Sequence, residues 1–477
     1  MQHQYYRTHP FTIFTHLKVS VILLLIPLLK QLILMPNKWY DILTEMSINT
    51  IYALVAVGYA VYSYRRYMYR LGPVGIDIKK GLLIQKYFTL PYHNIHTINI
   101  YRYIYSPFIN ASRLSFDSPG GSGKKYDISA FFSDKYADML IEKLTQGKQE
   151  KHVYQSNHIS MLLMCAFWSN PATGLLFAAP FISKLGSTAS YEIRHLLYDS
   201  MNIFWNLFTL KMSPVAAIIA DILIAGWAIA FMLQYSRYGR FSASKIGKYI
   251  VVARGIFNRS ITYTRYDKLA AVTINQSLLM RFFGLYNAGW FSIGSGKLKG
   301  DKSLIIAAEK KDKIYRHIYR MTNVSLKEEK IVRPMKYTLY AYICLPLYIT
   351  AGVMAGLITA DYFSAIDEIF KVIMIFALIP LVWWIMFRIY AYRHSRLAIN
   401  QKCVIVNGFR KWTMQKYIIP FSRIQYVSMT QSLLQKTRGT CNFYVYLYFE
   451  KRAFHTVKHI PIDEARKITK EINSRIK

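Results

Sequence analysis

The sequence predicts an α-helical membrane protein that also carries α+β domains. Six transmembrane helices pair as three hairpins, and each hairpin leads into a cytoplasmic block of antiparallel strands closed by a C-terminal helix. Three observations predict this. Long apolar segments recur in pairs, a strand-patterned stretch follows each pair, and the positive charge is concentrated in those stretches. The chain has 477 residues, enough for three units of ordinary domain size. Hydrophobic residues make up 53% of it, which fits a membrane protein with sizeable soluble parts.

A helix needs roughly 20 apolar residues to cross a bilayer core of about 30 Å. The six candidate spans are Phe14–Met35, Ser47–Tyr64, Ile159–Lys184, Pro214–Tyr235, Lys336–Ala360 and Ile369–Tyr390. The second is the shortest, and Trp39, Tyr40, Tyr62, Tyr64 and Tyr67 around it supply interfacial aromatic residues. The first is too long for a signal-peptide core and lacks a small-residue cleavage site, so it reads as a retained span. Arg65, Arg66 and Arg70 follow the second span, Arg237 and Arg240 the fourth, and Arg388, Arg393 and Arg396 the sixth. The positive-inside rule then predicts a multi-pass protein of the cell (inner) membrane with both termini and all three blocks in the cytoplasm.

The net charge of +36 follows the same division. Tyr64–Ser156 carries 14 Lys/Arg against 7 acids, Ser236–Met335 carries 20 against 6, and Arg388–Lys477 carries 18 against 4. The expected units are hairpins at 14–64, 159–235 and 336–390, with blocks at 65–152, 236–325 and 391–477. Four cysteines at 165, 344, 403 and 441 form no zinc spacing and read as small buried thiols.

The blocks are internal repeats. With Pro91, Arg265 and Pro420 in register, Ile95, Leu269 and Ile424 coincide, then Ile98, Val272 and Val427. Arg102, Gln276 and Gln431 share the next marked position, followed by Tyr103, Ser277 and Ser432, and then by Asn110, Gly284 and Gly439. Upstream, Gly81, Gly255 and Gly408 each open a run rich in β-branched and aromatic residues, as strands require. Helices are expected over Ser133–Thr145, Lys311–Met321 and Asp463–Ile476, with Ser133 and Asp463 as caps.

The pattern Gly–strand–(Pro)–x3–Ile–x2–Val–x3–Gln-Ser–x6–Gly resembles the bacterial pleckstrin-homology-like (PH-like) domain of the second type. Three such blocks, each after a membrane hairpin, resemble the YdbT-type membrane proteins of Gram-positive bacteria. The resemblance covers nearly the whole chain. It is clearest at Asn275-Gln276-Ser277 and Phe283-Gly284-Leu285 and good at Thr430-Gln431-Ser432, whereas the first block departs with Arg102-Tyr103 and Asn110. It implies a seven-stranded partial barrel capped by a helix, with no catalytic residue. It also implies a role in protecting the envelope against membrane-active compounds, alongside a smaller single-domain relative.

The residues favour binding over catalysis. No Ser/His/Asp or Cys/His grouping and no clustered carboxylates point to an enzyme, and no cofactor or metal site is expected. The glycine-rich stretches at 118–125 and 294–297 lack the P-loop order of residues and read as hairpin turns. Membrane tethering makes anionic lipid headgroups, or an acidic protein, the nearest anion for the basic blocks, rather than nucleic acid. Each Lys or Arg near such a surface contributes about 1 kcal/mol. The candidate contacts are Gln276, Ser277, Arg281, Lys297, Lys299, Lys302, Gln431 and Ser432. The rival reading, a small transporter or channel, rests on Lys30 and Asp221, two ionisable residues within spans one and four. Its competitor is a lysine that snorkels to the interface and an aspartate satisfied within the bundle.

Overall fold

A computed structural model describes residues 5–14, 17, 39–81, 84–118, 128–145, 151–169, 214–292, 303–322, 326, 328–363, 367–410, 413–447 and 453–476. In chain order the first unit comprises β1 (Tyr6–Arg7), α1 (Trp39–Arg66), β2 (Met68–Leu71), β3 (Gly75–Lys80), β4 (Lys86–Pro91), β5 (Thr97–Arg102), α2 (Ser106–Ile109), β6 (Ala111–Asp117), β7 (Ile128–Ser133) and α3 (Asp134–Thr145). The second comprises β8 (Lys151–Gln155), α4 (His158–Trp168), α5 (Pro214–Tyr238), β9 (Ser242–Ile246), β10 (Tyr249–Arg254), β11 (Arg259–Arg265), β12 (Ala271–Ser277), α6 (Leu278–Phe282), β13 (Leu285–Phe291), β14 (Leu304–Lys310) and α7 (Lys311–Thr322). The third comprises β15 (Lys330–Val332), α8 (Leu339–Phe363), α9 (Asp367–His394), β16 (Arg396–Ile399), β17 (Cys403–Arg410), β18 (Thr413–Pro420), β19 (Ile424–Thr430), α10 (Leu433–Thr437), β20 (Thr440–Leu447), β21 (Ala453–Pro461) and α11 (Ile462–Ile476).

Among the described residues each unit therefore holds seven strands and a closing helix, in the order four strands, three strands, helix. Alternation explains the strands. In β20, Cys441, Phe443, Val445 and Leu447 are buried while Asn442, Tyr444 and Tyr446 are half-exposed, the period of two that a pleated strand imposes. Helical spacing explains the closing helices. Ile314, Ile318 and Met321 turn one face of α7 inward, and Ala465, Ile468 and Ile472 do the same for α11. The first core joins both groups of strands to the helix: Ile76 and Ile78 meet Ile98, Ile100, Phe116 and Leu140. The repeated Asn110, Gly284 and Gly439 all take left-handed backbone, with φ of 48°, 62° and 61°. Asparagine tolerates that region better than other side chains, which is why it can replace glycine in the first unit. Gly255 is required for a second reason, since a Cβ there would lie 2.1 Å from the Asn258 carbonyl oxygen.

The structure departs from sequence expectation in two ways. First, each unit includes a strand that precedes its own hairpin. β1 pairs with β2, β8 with β9, and β15 with β16, so the stretches in which the sequence predicts hairpins fall between the first two strands of each unit, and in the third unit α8 and α9 fill that stretch. The expected blocks, starting at residues 65, 236 and 391, leave those strands out. Second, the sheets do not stop at unit boundaries. The strand orders are β1-β2-β3-β4, then β7-β6-β5-β11-β10-β9-β8, then β14-β13-β12-β18-β17-β16-β15, then β19-β20-β21. β5 of the first unit pairs antiparallel with β11 of the second, and β12 of the second pairs with β18 of the third. Two sheets of seven strands thus weld three units into a row. Side chains reinforce both seams. Thr262 Oγ1 donates to Asn99 Oδ1 at 2.7 Å, Arg265 Nη1 donates to the His93 carbonyl at 2.8 Å, and Arg423 donates to the Asp267 carbonyl.

Of the helices among the described residues, the one over Lys336–Thr359 is long and apolar enough to cross a membrane, with a mean hydropathy of 1.8. Pro346 lies inside it. The first expected span falls almost wholly outside the described residues, and so does the third beyond residue 169. Cys165, Cys403 and Cys441 are buried, and burial pushes the Cys403 and Cys441 thiols up to about 11.

Candidate anionic-ligand cleft between the second and third domains

The second seam opens a cleft of about 280 Å³. Its walls are Ile274 and Gln276 of β12, Arg281 of α6, Lys311 and Tyr315 of α7, His394 at the end of α9, Arg396 of β16, and Met414 to Lys416 of β18. Five basic side chains converge there. One carboxylate answers part of that charge: Glu328 Oε1 lies 2.8 Å from Lys416 Nζ and 3.5 Å from Arg396 Nη2. Burial pushes the Glu328 carboxyl up, but the Lys416 hydrogen bond and the charges of Lys416 and Arg396 outweigh it, so the group titrates below the usual glutamate range. Among the described residues no carboxylate pairs with Arg281 or Lys311. Asn407, 6% exposed, lies on the wall, and its side-chain hydrogen bond to Glu328 also helps hold that carboxyl down. Burial, with Arg281 and two further arginines nearby, lowers the His394 pKa although the Tyr390 carbonyl opposes this. The arrangement suits an anion, because an oxyanion would relieve repulsion among the cations.

Arg281 also borders a second cavity. Its guanidinium carbon lies 4.9 Å from the Tyr390 ring centroid, and Nη1 is 3.4 Å from His394 Nε2. With Phe282 and with Trp383, Met386, Phe387 and Tyr390 of α9 it walls an apolar cavity, also about 280 Å³. A polar cleft and an apolar cavity thus share one arginine at the foot of the third hairpin.

The sequence-predicted residues divide. Gln276 and Arg281 meet at the cleft. Gln276 Nε2 also donates to the Leu285 carbonyl at 3.2 Å, and Gln431 Nε2 donates to the equivalent Thr440 carbonyl at 2.8 Å. Ser277 caps α6 by accepting from Met280 N, and Ser432 caps α10 in a reciprocal capping box with Gln435. The Gln-Ser pair therefore pins a strand end to a short helix in each of the last two units. Lys297, Lys299, Lys302 and Lys30 lie outside the described residues, and Asp221 sits in α5 with its side chain undescribed. Sequence reasoning missed Lys311, His394, Arg396, Asn407 and Lys416. They come from β-strands and helix ends far apart in the chain, and only the seam brings them together.

The family profile described as Bacterial PH domain matches residues 13–147, 202–322 and 345–476. The chain belongs to the bacterial PH domain family. Its PH domains are thus the three units described above, and the cleft lies between the second and third of them. The chain is 21% identical over 372 residues to the UPF0699 transmembrane protein YdbT of Bacillus subtilis (strain 168), covering 71% of this chain and 73% of that protein. No solved structure matches the chain.

Proposed function

We propose that this protein is a non-catalytic, multi-pass membrane scaffold whose PH domains face an anionic leaflet, and that the cleft at the second seam takes an anionic lipid headgroup. The observation that carries this reading is Arg281, shared between a cationic cleft and an apolar cavity on the third hairpin. A headgroup phosphate in the first and an acyl chain toward the second would satisfy both at once. Membrane residence is supported by the apolar Lys336–Thr359 helix and by the word transmembrane in the name of the Bacillus relative. Six spans with cytoplasmic domains complete the reading. A role in envelope protection, with a smaller single-domain relative as partner, fits that placement.

Mass spectrometry of lipids retained by the detergent-purified full-length protein tests the headgroup assignment. Anionic phospholipids should be enriched over zwitterionic ones relative to the source membrane, and retention should weaken as salt rises. Retention in the proportions of the source membrane would count against it. Topology is tested separately with single cysteines at Ser190 and Ser474 in a chain lacking the native four. An impermeant thiol reagent applied to intact cells should label Ser190→Cys and spare Ser474→Cys, and labelling of the latter would overturn the cytoplasmic placement.

A further inference from the structure

The two seams follow one rule, and the rule leaves one strand edge over at each end of the row. In the first seam Ile261 of β11 stands opposite Ile100 of β5, and in the second Lys416 of β18 stands opposite Ile274 of β12. Ile261 and Lys416 both lie four residues before the repeat position held by Arg265 and Pro420. Ile100 and Ile274 both lie two residues after the position held by Ile98 and Val272. The pairing register is therefore identical in the two seams. β4 is the first-unit counterpart of β11 and β18, yet it ends its sheet, and β19 is the third-unit counterpart of β5 and β12, yet it also ends its sheet.

Burial marks the same difference. Ile100 and Ile274 are 1% and 5% exposed, while Met429 at the matching position of β19 is 37% exposed and Tyr426 is 45% exposed. On β4, Tyr87, which matches Ile261 and Lys416, is 61% exposed. Among the described residues no strand pairs with these edges, and such edges template further strands unless something blunts them. Pro91 at the end of β4 is no bar, because Pro420 likewise ends β18, which pairs with β12 through Thr413–Ile418 and needs nothing from the proline. Like charge is no bar either, since Arg259 already faces Arg102 across the first seam.

We infer that β19 of one copy of this chain pairs antiparallel with β4 of a second copy, continuing the row of PH domains from molecule to molecule. The occupant is a second copy because the chain itself carries the complementary strand, in the register that its two internal seams use. That register sets Tyr87 opposite Met429, with Phe88 opposite Ser428 and Thr89 opposite Val427. The contact is heterologous, donor edge to acceptor edge, so copies assemble head to tail into a ring or an open row rather than a symmetric pair. Main-chain hydrogen bonds provide the attraction, as in other strand-addition complexes.

The test uses two differently tagged full-length chains without native cysteines, one carrying Tyr87→Cys and the other Met429→Cys, co-expressed and oxidised with copper phenanthroline in native membranes. Opposed strand residues lie within disulfide reach. The expected result is a disulfide-linked dimer containing both tags, and a ladder of higher multimers when one chain carries both cysteines. A chain with Ile100→Cys and Ile261→Cys, which should close within itself, controls for folding and oxidation. If that control closes and no mixed dimer forms, the inference is overturned. Met429→Cys chains linking to one another in preference to Tyr87→Cys would also overturn it, as would Met429→Cys capturing a different membrane protein.

Discussion

Glu328→Gln is expected to destabilise the protein by about 2 kcal/mol, between the ranges for exposed and for fully buried ion pairs. The Glu328 and Lys416 side chains are 12% and 13% exposed, so neither charge has ready access to water when its partner is removed. Lys416 would keep a hydrogen bond to the Tyr315 hydroxyl at 3.1 Å, but its charge would stand unanswered beside Arg396. The measurement is thermal unfolding of the detergent-solubilised full-length chain as a function of pH. Because the folded-state pKa of Glu328 is lowered, its contribution is present above the usual glutamate range and is lost as pH falls through the folded value. The two proteins should therefore differ most at neutral pH and converge in acid. A constant difference across that range would assign the effect to packing rather than charge. The same substitution should raise affinity for anionic headgroups, since it removes the carboxylate that competes for Lys416 and Arg396.

Arg281→Ala is expected to weaken retention of anionic lipid by about tenfold, the scale of one charge-assisted contact, while leaving folding nearly unchanged. The asymmetry follows from its surroundings. Arg281 stacks on Tyr390 and approaches His394, and it pairs with no carboxylate among the described residues, so its removal strands no buried opposite charge. Arg281→Lys keeps the charge but loses the planar fork and the stacking, and should recover only part of the retention. Equal lipid retention by Arg281→Ala and the parent protein would move the headgroup site away from this cleft.

Much of the domain architecture was legible because its signals are local. The apolar runs of β10, β12 and β17, the amphipathic faces of α7 and α11, and the matched Asn110, Gly284 and Gly439 each depend on neighbours within one repeat. The strands before the hairpins were not legible. Tyr6–Arg7, Lys151–Gln155 and Lys330–Val332 are two, five and three residues long. That is too short for a period of two to emerge, and only pairing with a strand beyond the hairpin makes them strands. The seams left a fainter trace. Thr97 and Asn99 are 0% and 2% exposed within β5, and polar residues buried in an outer strand indicate a further strand beside it. Arg281 was within reach as a neighbour of Gln276-Ser277. Its partners were not, because Tyr390, His394 and Lys416 lie more than 100 residues downstream and meet it only through the pairing of β12 with β18.

Placement of the third hairpin, α8 and α9, between the first two strands of its domain fixes an order of events during synthesis. β15 leaves the ribosome before α8 and α9, and its partner β16 arrives only when those helices are complete. Pairing β15 with β16 thus requires first finishing the long excursion between them, a loop-closure cost that a hairpin fixed in place would reduce by holding its ends together. A stalled or mis-inserted third hairpin would leave that sheet without its edge strand and β15 exposed. The arrangement makes completion of the third domain report on the hairpin it encloses.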